Sequence, residues 1–136
     1  MANDQRLPTN DCSMTIRRLK TYAGSLGYVY QYYFVGKRPA AIPGDAQPRA
    51  QAHEYIFDVT SDRQHTYSVS IFLPAIVVAA WGQSHGRALS DSEQYAAVKI
   101  RLFRAFDEVE DMQAQGRQLR IDPDFLEEAL TSLGVD

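Results

Sequence analysis

The chain has 136 residues, a formal net charge of −3 and a single cysteine, Cys12. That length suits one domain with a real core, and 45% apolar with 23% charged residues is ordinary for a soluble protein. The charge gives no whole-chain case for DNA or RNA, one cysteine excludes an intramolecular disulfide or a thiolate metal cluster, and no apolar run reaches the roughly 18 residues of a membrane span.

Residues 1–14 are polar and aperiodic. They are expected to form a disordered tail without the apolar core of a signal peptide, leaving 15–136 as one domain. TIRRLKTY (15–22) mixes β-branched and aromatic residues with cations, which predicts an edge strand. AGSLG (23–27) supplies a turn.

YVYQYYFV (28–35) is then a strand with two busy faces. At period two, Tyr28, Tyr30, Tyr32 and Phe34 share one face, and Val29, Gln31, Tyr33 and Val35 the other. A strand that is apolar on both sides is expected at the centre of a sheet, with helices on one side and a partner or aromatic packing on the other. Gly36 is expected to close it. The proline-rich stretch 37–52 is expected to be a long loop.

EYIFDVT (54–60) and HTYSVSIFL (65–73) alternate cleanly around the turn SDRQ (61–64). They predict a hairpin with one apolar and one mostly polar face. Pro74 opens a short apolar helix that Gly86 stops. Ser90 and Glu93 form a capping box. The helix that follows is expected to run about 24 residues, to Gln115, on a stripe from Tyr95 to Met112. Phe103 lies off that stripe and becomes an exposed anchor unless the last helix covers it. Asp122 and Pro123 start that helix, and Gly134 ends it. Strands first and helices after them predict an α+β fold: an antiparallel sheet of about four strands, with three helices on one face.

Residues 15–38 hold Arg17, Arg18, Lys20, Lys37 and Arg38 and no acid. Beside Tyr28, Tyr30, Tyr32 and Phe34 they make a candidate binding surface. Base stacking on such rings is worth about 1–3 kcal/mol per base, although the pattern is not that of an RRM. Sheet packing also favours aromatic residues, and tyrosine is enriched at protein interfaces. His53, His65 and His85 are scattered, with no metal-ligand spacing. His65 could meet Asp58 or Asp62, and His85 suits a helix C-terminus. No nucleophile elbow or phosphate loop is present. In the long helix, cations early and acids late oppose the macrodipole preference, with Arg104→Glu108 as the available pair.

These features lead to an expected role: a small cytoplasmic, non-enzymatic protein-interaction domain, self-associating through its sheet, with no cofactor, metal or membrane. The alternative is a single-stranded nucleic-acid binder on the basic, aromatic first hairpin. The third option is a small-ligand or enzyme site between the 37–52 loop and the helices, with His53 or His65 beside a carboxylate.

Overall fold

A computed structural model describes residues 18–44 and 51–135. The expected tail with Cys12, the start of the first predicted strand with Arg17, and positions 45–50 of the predicted loop lie outside the described residues. Strands β1 (Lys20–Ala23), β2 (Val29–Ala40), β3 (Ala52–Thr60) and β4 (Tyr67–Pro74) pair in sequence order as an antiparallel meander. A fifth strand, β5 (Gln118–Arg120), joins β4 in parallel. Helices α1 (Ala75–His85), α2 (Asp91–Glu108), α3 (Met112–Gln115) and α4 (Pro123–Ser132) complete the α+β fold. The sheet thus has five described strands rather than four, and there are four described helices rather than three.

One core joins the sheet to the helices. Tyr55, Phe57 and Val59 of β3, with Tyr67, Val69, Ile71 and Leu73 of β4, supply its sheet side, as their alternation dictates. Val77 and Trp81 of α1, Leu102 and Phe106 of α2, and Leu126 and Leu130 of α4 supply the other side. Phe103 is half-buried against the first hairpin, where the Tyr22 ring stacks on it at 4.5 Å.

The helix ends follow their residues. Pro74 closes β4 and stands at the N-cap of α1, so no linker separates them. Gly86 ends α1 in the left-handed region, φ 73°, where glycine carries no steric cost. The Ser90–Glu93 capping box forms in both directions. Arg87 also holds the Glu93 carboxylate at 3.0 and 2.8 Å, and these bonds with the Ser90 N–H bring its pKa down to about 2.

The predicted 24-residue helix stops early. Val109 turns extended, and the Asp111 side chain accepts from the Ala114 N–H to start α3. An aspartate that can cap a fresh helix competes with continuing the old one. The apolar period survives the break, since Met112 is still buried. The late acids also have an outside use. Asp107 accepts from the Tyr22 hydroxyl at 2.8 Å and the Ser25 N–H at 3.0 Å, tying the β1–β2 turn to α2. Gly24 permits this approach, because a Cβ there would lie 2.7 Å from the Phe106 carbonyl oxygen. Arg104 reaches Glu128 of α4 at 3.1 Å instead of Glu108.

The largest departure is in β2. Gly36 does not close the strand. The register slips between Phe34 and Gly36, and Lys37, Arg38, Pro39 and Ala40 go on to pair with Tyr55, Glu54, His53 and Ala52. A bulge of one residue swaps the faces beyond it. β1 reaches only as far as Tyr32, so among the described residues the outer edge of β2 beyond it has no strand partner. That edge carries the bulge, two cations and a proline, all of which discourage strand addition.

Candidate functional site

The four aromatic candidates part ways. Tyr30 and Tyr32 are buried to 2% and 4% exposure. The Tyr30 ring stacks on Phe106 at 4.1 Å, and Tyr32 sits edge-on to Phe103 at 5.7 Å. Neither can stack a base, and a substitution at either reads on stability rather than on binding. Phe34 packs edge-on to Tyr95 at 5.0 Å and Tyr28 stays exposed, so these two alone of the four reach the surface.

The basic candidates are divided between the two faces. Lys20 pairs opposite Tyr32 and Lys37 opposite Tyr55, both on the helix side. The Lys37 ammonium lies 5.6 Å from the Tyr55 ring centre and 3.8 Å from Asp91. Lys99 of α2 sits 5.5 to 5.6 Å from the rings of Tyr32, Tyr95 and Phe103. Burial, then the Lys20 charge, lowers its pKa. Arg18 is exposed ahead of β1. Arg38 lies across the sheet from these lysines, opposite Glu54. The described cations paired within the first hairpin are thus split between the two faces, Lys20 and Lys37 on one and Arg38 on the other.

The face opposite the helices is the surface that the described residues leave open. Among the described residues no helix lies over its middle. Two polar clusters cross it. Arg38 Nε donates to Glu54 Oε1 at 2.9 Å, and Ser70 Oγ donates to Glu54 Oε2 at 2.6 Å. Four residues along β3, the Tyr33 hydroxyl donates to Asp58 Oδ2 at 2.8 Å. Apolar side chains flank them: exposed Val29, the exposed bulge residue Val35 and half-buried Ile56. At one end Ile42 folds over Phe72 and Ala52 as a small second cluster.

Glu54 is the one buried charged side chain among the described residues. Burial would raise its pKa, but the hydrogen bonds from Ser70 and Arg38 and the Arg38 charge outweigh that and lower it. A carboxyl with a depressed folded pKa contributes stability above its unfolded value, about 4.3, and loses it as pH falls through the folded one. Glu54→Gln is therefore expected to be about 1 kcal/mol less stable near pH 6, a figure held low by the exposure of Arg38. The difference from wild type should close as pH drops below about 4. Urea midpoints measured across that range check it, and a gap that stays constant contradicts it.

Placing Arg38 in a loop kept this cluster out of the sequence reading. The available signal was the pair of acids on the polar face of 54–60, with serines opposite at 68 and 70. The histidines do not converge. His65 pairs with Asp62 at 2.7 Å on an exposed turn, and His85 stacks on Trp81 and meets Glu127 at 2.8 Å. His53 is exposed. Among the described residues no three His, Cys, Asp or Glu side chains gather as metal ligands, and no helix is long and apolar enough to cross a membrane. Comparison with protein-family models, with curated proteins and with solved structures gave no match, so the functional reading rests on this geometry.

Proposed function

We propose that the chain is a small cytoplasmic interaction domain, without catalysis of its own, that docks a protein on the open face of its sheet. A second copy of the chain is the partner to test first. The observation that carries this reading is the face that the described residues leave uncovered, where exposed Val35 and half-buried Ile56 lie near the mutually bonded Arg38, Glu54 and Ser70 side chains, with exposed Val29 toward the far end of β2. Polar groups that already hold partners lose less on desolvation than bare ones. Apolar neighbours around them supply the area that association needs. A two-fold axis through such a face sets the cation of one copy against the carboxylates of the other. The guarded edge of β2 favours face-to-face docking over strand addition.

The test is light scattering on the eluting full-length chain, at low and physiological salt and over a range of concentrations. Wild type is expected to dimerise. Val29→Lys with Ile56→Lys should weaken the dimer at least about tenfold, roughly 1.4 kcal/mol, and leave the urea midpoint near that of wild type. A wild-type chain that stays monomeric throughout, or a dimer indifferent to both substitutions, rejects self-association on this face.

A further inference from the structure

At the corner between α2 and α3, an open cavity of about 420 Å³ is lined by Tyr28, Tyr30 and Tyr67 together with Glu110, Asp111 and Met112. Two of these tyrosines are unusual. Tyr30 and Tyr67 are more than nine-tenths buried, at 2% and 7% exposure. Among the described residues neither hydroxyl has a hydrogen-bond partner. Among the described residues the partnerless polar atoms sealed from solvent are Tyr55 Oη and Trp81 Nε1, so the Tyr30 and Tyr67 hydroxyls are open to solvent. Both residues line this cavity. Buried phenols normally find a partner inside the protein. Here two of them stop short, beside two exposed carboxylates.

The chemistry of the walls selects a charge sign. Aromatic faces attract cations through the ring quadrupole, and a nearby carboxylate adds to that field. Arg117, which does not line the cavity, lies 5.7 Å from the Tyr67 ring centre and bonds the Ser68 carbonyl, so the acids at the cavity have to outweigh its charge. Burial raises the Tyr67 pKa to about 12, with Tyr30 and Asp111 adding to it and Arg117 opposing. Burial likewise raises that of Tyr30, with Tyr28 and Asp111 adding. Asp111, which disfavours a phenolate there, favours a positive guest. Met112 adds a soft apolar wall that suits alkyl groups.

We propose that this cavity binds an alkylammonium group, which the exposed Tyr28 ring contacts through its alkyl surface while Glu110 and Asp111 balance its charge. Two sources carry that group: a free amine or quaternary ammonium compound, and a lysine side chain of a peptide. The probes are choline, its uncharged carbon analogue 3,3-dimethylbutan-1-ol, and an N-acetyl-lysine amide with and without trimethylation of the amine. Each is titrated into the full chain while the Met112 methyl and the Tyr67 ring are followed by NMR.

Choline is expected to shift both signals and the neutral analogue to leave them. A lysine amide that binds more tightly than choline assigns the site to peptide side chains, and the reverse assigns it to free amines. Glu110→Gln, and Asp111→Asn, which keeps an acceptor for the Ala114 N–H, should each weaken choline about three- to tenfold with unchanged melting. Glu110 is exposed, so its variant tests the charge even if the Asp111 variant disturbs α3. No shift from any cationic probe, equal binding of the neutral analogue, or full affinity in Glu110→Gln would overturn the proposal.

Discussion

Replacing Phe106 by alanine is expected to cost about 3–5 kcal/mol, the range for deleting a fully buried aromatic ring. Phe106 has 0% exposure. Its ring stacks on Tyr30 at 4.1 Å and also packs against Tyr22 and Tyr32. It is thus the point where the first hairpin meets α2. A domain of this size has about 5–15 kcal/mol in all, so the variant should unfold at a much lower urea concentration. Phe106→Leu retains much of the volume and should lose less. Circular dichroism during urea titration gives both values. A loss below about 1 kcal/mol for the alanine variant would show that these rings do not carry the contact.

Asp107→Ala should cost about 2 kcal/mol, with a local signature. It removes the acceptor of the Tyr22 hydroxyl and of the Ser25 N–H together. Ser25 can turn to water, since it is exposed. Tyr22 is half-buried and stacked on Phe103, and it loses its partner without gaining another. Amide exchange in Lys20–Ala23 is expected to speed up well before that of β3 and β4. Asp107→Asn keeps one acceptor and should show a smaller change. Burial works to raise the Asp107 pKa, but the Tyr22 and Ser25 hydrogen bonds lower it. The anchor therefore holds above the ordinary aspartate range, near 3.9, and weakens as pH falls through the lower folded value. Uniform exchange across the sheet in the alanine variant would contradict this local role.

How much of the molecule was legible in the residues depends on the range of the forces that set each part. The β3–β4 hairpin, the capping box of α2 and the Asp122–Pro123 start of α4 depend on neighbours within a few positions, and they stand as their patterns predict. The end of α2 was harder. A sustained apolar period does not reveal that Asp111 will cap a new turn. β5 has three residues, too few for a period to show, and its place is set by a strand far away in sequence. The doubly apolar strand was read as central, yet β2 stands second in the sheet and lacks a described outer partner beyond Tyr32; nor was it legible which tyrosines lie under the helix, since both faces carry rings. The open face was the least visible. A single bulge moves Arg38 beside Glu54, and parity counted along an unbroken strand puts it on the other side.

The parallel β4–β5 pair bears on the order in which the chain assembles. The meander from β1 to β4 joins successive strands, whereas Arg117 Nε reaches the Ser68 carbonyl across 49 positions, with the helices α1, α2 and α3 in between. Loop closure over such a span costs only slowly more entropy with length, but it gains little until those helices are in place. The antiparallel hairpins therefore offer the more local contacts, and docking of β5 is expected to come later. Its bonds, Ser70 N–H to the Arg117 carbonyl at 2.8 Å and Ile121 N–H to the Phe72 carbonyl at 3.1 Å, act as the latch that turns a preformed meander and a helical segment into one cooperative unit.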